Sequence, residues 1–303
     1  MKALRIPISH GTISMREFVE ISLKTKDFTE INFKLKSRRR DGMITSLDDI
    51  LANLDVSKEQ LNFAQDNRLF TLSSQGMSLG EWVQHLCSIF QFEHYGADFS
   101  IDRMSQLEVQ SLRSIFPKLL KINLICSRDE LNEQDNLYAQ TVLRAFLSDV
   151  QIVRLISVPL HGNLSIAHIA TANLKQLCLT GLNNSKIDDI LTLNSEWINI
   201  TSGQIMLRDM NRFFKLWMKG SHPRLKGCFI FMERDNNTDW TILLKGLRAE
   251  NAEDSEVEEL EVKNVTIKNS AGVSARIRIC DEGLFVSVQF SVSNHKSEPW
   301  INF

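Results

Sequence analysis

From Leu119 to Ile230 one arrangement of apolar residues keeps returning: apolar, two intervening positions, apolar, one intervening position, apolar. It occurs at Leu119/Ile122/Leu124, Val150/Val153/Leu155, Leu174/Leu177/Leu179 and Leu225/Cys228/Ile230. The longest interval holds Trp197–Thr201, which alternates like a strand. Stretches with helical spacing stand between the frames, around Leu137–Leu147, Ile187–Leu193 and Leu207–Met218. A strand plus a helix about every 20–30 residues is the period of a leucine-rich-repeat-like coil. Such a unit cannot bury its apolar side alone, so the expectation is a stack of units forming a parallel sheet backed by helices. In the clearest frame, that of Leu174, Leu182 stands where the usual asparagine would be and Asn183 follows one place late.

Beyond the array the period changes to two. Val262–Ile267, Ala275–Ile279 and Val286–Phe290 alternate, separated by turn residues at Asn269–Gly272 and Asp281–Gly283, which predicts an antiparallel meander that caps the array. The acidic run of residues 249–261 reads as an exposed loop. Ahead of the array, Ser14-Met15-Arg16-Glu17 has the capping-box pattern and predicts a short helix carrying Phe18, Val19, Ile21 and Leu23. Residues 28–36 fit a strand or a helix equally. Lys36–Gly42 is a basic turn, a solvated loop or a nuclear-localisation signal. Residues 43–77 read as a polar connecting layer. A second capping box, Ser78–Glu81, opens a helix through Phe90, and a further helix runs up to Phe116 with Pro117 ending it. The expected fold class is therefore α/β: a short N-terminal helical segment (1–40), a helical connecting region (41–117), then a leucine-rich-repeat-like strand/helix array closed by an antiparallel β meander (118–303).

Within the array, residues 207–225 form an amphipathic helix with its stop signal. Leu207, Met210, Phe213, Phe214, Trp217 and Met218 share one side, with Arg208, Arg212, Lys215 and Lys219 opposite. Gly220 supplies a left-handed residue and Pro223 prevents continuation. The basic stripe is either the wet side of a core helix or a dock for an acidic partner.

A hydrophobic content of 43% in 303 residues allows a substantial core, and a net charge of -2 disfavours a general nucleic-acid binder. The five cysteines stand far apart with no CxxC pair, which predicts reduced, buried thiols and neither a zinc site nor a disulfide framework. No apolar run suits a signal peptide or membrane span, so a soluble intracellular protein, cytoplasmic and/or nuclear, is expected. His85 and Cys87 diverge on a helix. His161 and His168 lack ligand partners at metal spacing, and Asp188-Asp189 suits a helix start. With no phosphate-binding loop, dinucleotide fingerprint or nucleophile elbow, no catalytic residues, metal or cofactor are assigned, although dispersed catalytic residues would escape such a search.

Asn211–Leu225 (NRFFKLWMKGSHPRL) resembles the signature of nematode F-box proteins (F-box B-like) that carry the type 2 F-box-associated domain. The blocks Trp82–Phe90 and Val265–Phe290 are similar to segments of the same family, as are Leu4-Arg5-Ile6-Pro7 and Glu20–Lys26 near the start. Between those last two, Ile8–Val19 is short for an F-box, and His10-Gly11-Thr12 interrupts its first helix. The resemblance implies a substrate receptor of an SCF-type cullin–RING ubiquitin ligase, with a cullin-linker protein, a cullin and an unidentified protein target as partners. The linker-binding residues it implies are Leu4, Ile6, Pro7, Ile13, Met15, Phe18 and Val19, unless these pack into the protein's own core. The alternative is a binding module or decoy that has lost ligase coupling.

Overall fold

The structure, a computed structural model, describes residues 8–15, 19–25, 29–37, 46–60, 70–72, 76–90, 95–104, 108–116, 119–128, 133–158, 169, 171–181, 188, 191–203, 205–233, 239–251, 261–281 and 283–293. The chain divides into two compact units, Met1–Arg154 and Leu155–Phe303.

The first unit is built on strands β1 (Ile8–Met15), β2 (Val19–Thr25), β3 (Thr29–Ser37), β4 (Ala52–Gln60), β5 (Phe70–Leu72), β6 (Tyr95–Ser100) and β7 (Leu119–Ile125), ordered β7-β6-β1-β2-β3-β4-β5. Strands β6 and β7 run parallel, as do β1 and β6, while β1 to β5 form an antiparallel meander. Helices α1 (Leu79–Phe90), α2 (Ile101–Met104), α3 (Val109–Ile115) and α4 (Glu133–Phe146) complete it. The capping box that opens α1 forms as the sequence implies. The Ser78 N–H donates to Glu81 Oε2 at 2.7 Å, and the Glu81 N–H donates to Ser78 Oγ at 3.1 Å. Phe99, Phe116 and Phe146 fill the core, with Phe99 centroids 6.0 Å and 5.9 Å from the other two.

The helical N-terminal segment is not what forms. Val19, Ile21 and Leu23 are buried while Glu20, Ser22 and Lys24 face outward, a period of two that a strand satisfies and a helix does not. Ser14 caps no helix; its hydroxyl donates across to Asp98 Oδ2 on β6 at 3.1 Å. Residues 28–36, which suited either state, lie largely in β3, and β4 crosses the expected polar connecting layer. The basic turn at 38–42 lies outside the described residues.

The second unit orders its strands β8-β9-β10-β11-β15-β14-β13-β12, with β8 (Ile152–Ile156) straddling the division. Strands β9 (Gln176–Thr180), β10 (Trp197–Thr201) and β11 (Gly227–Glu233) are parallel. Strands β12 (Glu250–Asn251), β13 (Glu261–Lys268), β14 (Ser274–Asp281) and β15 (Phe285–Val292) are antiparallel, and β15 pairs with β11 as well as β14. The C-terminal alternation thus becomes the meander β13-β14-β15.

The apolar frames do fall on strands, but the leucine-rich-repeat-like array they implied does not form. Such an array runs parallel throughout and backs each strand with its own helix. Here the described residues are mostly β, parallel and antiparallel pairs are mixed, and helices are few among them. Among the described residues of this unit, α5 (Leu207–Met218) is the one helix longer than α6 (Trp240–Leu244). Of the expected helix around Ile187–Leu193, residues 187, 189 and 190 lie outside the described residues, and 191–193 form a turn and irregular backbone. Of the acidic run 249–261, expected as a loop, Glu250–Asn251 form β12, Glu261 begins β13 and 252–260 lie outside the described residues.

Alternation gives the second unit's sheet two unlike faces. Leu177, Leu179, Ile198, Ile200, Cys228, Ile230, Val288 and Phe290 are buried on one. The opposite side carries Gln176, Thr180, Asn199, Thr201, Phe229, Phe231 and Gln289, all half-buried, together with the buried Cys178 and Ser287. Parallel strands normally have both sides covered, so a polar, partly exposed side along β9–β11 departs from that habit.

Candidate functional site around the signature helix

Helix α5 lays Met210, Phe213, Phe214 and Trp217 into the core, with Leu207 and Met218 half-buried, and leaves Arg208, Arg212 and Lys219 exposed. Phe290 of β15 is its anchor. The Phe214 ring stacks on it at 5.5 Å, and Trp217 meets it edge-on at 5.0 Å; each contact is worth about 0.5–1.5 kcal/mol beyond the area it buries. The N-terminus is closed by Asp209, whose carboxylate accepts the Met206 N–H at 3.1 Å. At the other end Gly220 has φ +93°. The Gly220 N–H donates to the Trp217 carbonyl at 2.9 Å, and the Ser221 N–H donates to that of Leu216 at 3.0 Å. This is the paired 5→2 and 6→1 arrangement of a Schellman cap.

Asn211, 7% exposed, points away from the basic stripe. Its amide nitrogen donates to the carbonyls of Leu243 at 2.7 Å and Lys245 at 2.9 Å. Those oxygens belong to the end of α6, where helix geometry leaves acceptors without partners. The asparagine at the head of the sequence signature is therefore a tie between two helices.

The segment after α5 secures the starts of the parallel strands. Arg224 donates to Asn173 Oδ1 at 2.6 Å, to the Asn194 carbonyl at 3.4 Å and to Glu196 Oε1 at 3.3 Å, so one guanidinium holds the turns that lead into β9 and β10. Lys226 donates to the other Glu196 oxygen at 2.7 Å. Partial burial by itself would raise the Glu196 carboxyl, but the hydrogen bonds and charges of Lys226 and Arg224 outweigh it and hold the group below its ordinary value. His222 sits between these features with φ +58°. Its ring packs on Phe213 at 4.9 Å, and Nδ1–H donates to the Leu193 carbonyl at 3.1 Å. Nε2 is buried without a hydrogen-bond partner among the described residues. Burial depresses the imidazole pKa, and the bond to Leu193 offsets this in part. Together with Trp217, Asn269 and Val292 these residues line a groove of about 490 Å³.

This arrangement joins backbone to backbone. Glu196 is committed to two cations, and His222 has no nucleophile beside it. Cys228 is fully buried, which pushes its thiol up to about 12. Among the described residues no three His, Cys, Asp or Glu side chains converge as metal ligands would.

Other singled-out residues are dispersed. Asp188 pairs with Arg212 at 2.8 Å on the surface, where such a bond contributes little. His85 lies edge-on to Trp82 at 6.2 Å, while His161, His168 and Asp189 lie outside the described residues. Ile13, Met15 and Val19 of the implied linker-binding set are 1%, 0% and 6% exposed, within the core of the first unit. Leu4, Ile6, Pro7 and Phe18 lie outside the described residues. No described helix is long and apolar enough to cross a membrane.

Sequence reasoning assigned no residues to target binding. The feature it passed over is the half-exposed side of β9–β11 with its continuation on β15 and β14. There Phe231 stacks on Phe285 at 4.9 Å, and Arg276 and Arg278 are exposed. The signal lay in the residues that alternate with the apolar ones, such as Trp197, Asn199, Phe229 and Phe231.

No curated protein and no solved structure matches the chain. A family model described as F-box associated matches residues 165–230, the stretch holding β9, β10, α5 and the first half of β11, and with them Asn211, His222 and Arg224.

Proposed function

We propose that this chain is the substrate-recognition subunit of an SCF-type cullin–RING ubiquitin ligase, an adaptor that holds a protein target and carries out no chemistry of its own. The observation behind the reading is the F-box associated match at 165–230. The residues of the signature inside it act as ties in a scaffold, as a binding module requires. In such an assembly the adaptor contributes proximity: it raises the effective concentration of target lysines near the charged ubiquitin-conjugating enzyme. Its partners in this reading are a cullin, the linker protein and a target protein. Since Ile13, Met15 and Val19 lie in the core, linker contact falls to the remaining implied residues, Leu4, Ile6, Pro7 and Phe18. Affinity purification of the tagged full chain from cells tests this. Retention of linker and cullin is the expected result, and their absence where an intact F-box protein retains both overturns it.

A second reading is a binding module or decoy uncoupled from the ligase. It is favoured by the strands at residues 8–37, where the resemblance implies linker-binding helices. Pro7→Glu with Phe18→Glu separates the two, because a decoy keeps its cellular effect after the change and a ligase receptor loses it.

A further inference from the structure

We infer that the half-exposed side of the second unit's sheet is the target-binding surface, and that it takes an acidic, aromatic-bearing segment of a protein. The inference rests on the reading of the chain as a protein-binding adaptor and adds which side is used and what chemistry it selects.

The argument begins with Arg276 and Arg278. Two residues apart on β14, they project from the same side of the sheet, and both are exposed. Among the described residues neither makes an ion pair. Three basic groups on and after α5 do have acidic partners: Arg224 and Lys226 share Glu196, and Arg212 has Asp188. Strand register explains the difference. Arg276 stands between Thr266 and Ser291, and Arg278 between Asn264 and Gln289, so every cross-strand neighbour is uncharged. The nearest acid by register on that side is Glu250, opposite Thr266 and one strand further out. An incoming carboxylate would therefore supply a close counter-charge that the described cross-strand neighbours do not, and a guanidinium offers it a bidentate site.

Aromatic contact area lies on the same side of the sheet, on β11 and at the start of β15. Phe231 and Phe285 stack with their planes 25° apart, Phe285 is 39% exposed, and the adjoining Leu284 is 80% exposed. Gln289 lies between Arg278 and Phe229, with Asn199 one strand beyond Phe229, and both present hydrogen-bonding groups. Aromatic and Arg anchors among small polar groups make up the composition of protein-binding surfaces. RNA is the less favoured ligand. Arg276, Arg278 and Lys268, which make no ion pair among the described residues, have Glu233 and Glu250 at the margins and fall short of the row of phosphate contacts that sequence-independent binding requires.

The test measures fluorescence anisotropy of a fluorescein-labelled poly(Glu,Tyr) copolymer titrated with the purified full chain. A poly(Lys,Tyr) copolymer and an oligo-U RNA of similar length serve as comparison probes. Saturable binding of poly(Glu,Tyr), weakened about tenfold or more by Arg276→Glu with Arg278→Glu and less by the corresponding Lys pair, is the expected result. Circular dichroism of both variants checks that the fold is kept. Absence of binding, binding indifferent to the charge reversal, or tighter binding of poly(Lys,Tyr) or the RNA would overturn the inference. Cullin capture by the charge-reversed chain is measured in parallel. If capture persists while copolymer binding never appears, the surface assignment fails and the receptor reading stands. If copolymer binding is lost on charge reversal while even the wild-type chain captures no cullin, the surface assignment stands and the receptor reading fails.

Discussion

Trp197 and Gly227 sit opposite each other on the parallel strands β10 and β11, and the indole occupies the space a side chain at 227 would need. A Cβ built there would lie 2.6 Å from Trp197 Cε3, nearer still to Cζ3, and 3.2 Å from the Phe290 carbonyl oxygen. Gly227→Ala is therefore expected to destabilise the second unit by about 1–3 kcal/mol through overpacking. Trp197→Leu should recover part of that loss in the double variant. Urea denaturation of the single and double variants checks both; equal midpoints for wild type and Gly227→Ala would contradict the geometry.

Asn211→Ala leaves the carbonyls of Leu243 and Lys245 without their donor, at a cost of about 1–3 kcal/mol. Asn211→Asp should cost more, because it turns a carboxylate toward the same two oxygens. Hydrogen exchange should locate the loosening at Trp240–Leu244 while amides of β9 and β10 keep their protection. Uniform loss across the second unit would count against a local tie.

Arg224→Lys keeps the charge but loses the planar fork that reaches Asn173, Asn194 and Glu196 together. The side chain is 31% exposed, and Lys226 still holds Glu196, so the expected loss is about 1 kcal/mol or less. A loss of unfolding free energy greater than about 2 kcal/mol, from urea denaturation, would show that the two turns depend on Arg224 alone.

His222 and His10 both have pKa values depressed below 6.5. Burial leads in each; Lys121 and Lys24 add to it at His10, where Asp98 opposes. Unfolded histidine titrates near 6.5, so below that pH the unfolded chain binds more protons than the folded one. Stability is then whole above about pH 6.5 and is lost as pH falls through the folded values. His222→Asn tolerates the left-handed backbone and removes one titration. Between about pH 7.5 and 5.5 it should lose less stability than wild type, measured by thermal melts; an identical slope would rule His222 out as a contributor.

Local signals in the sequence carried far. The Ser78–Glu81 box, the Gly220 stop and the alternation in β13–β15 each specify their own geometry within a few residues. Ser14–Glu17 shows how such a signal is overridden: the Ser14 hydroxyl donates to Asp98 on β6, 84 residues away, and Val19–Thr25 forms a strand. Pairing choices were equally hidden, since a frame of apolar positions marks a strand without naming its neighbour or direction. The site was half legible. Asn211 and Arg224 stood out within a motif, but their partners Leu243, Lys245, Asn173 and Asn194 lie some 30–50 residues away in sequence, where spacing alone does not reach.

The insertion of β15 between β11 and β14 has a consequence for how the chain is made. During synthesis β11 emerges long before the strand that completes it, and until then its row of amides and carbonyls is open on that side. Phe214 and Trp217 likewise wait for Phe290. A nascent chain stalled before residue 285 would thus display a sticky ribbon end and bare rings, an invitation to chaperones and to aggregation. The last meander strand therefore closes the domain in time as well as in space.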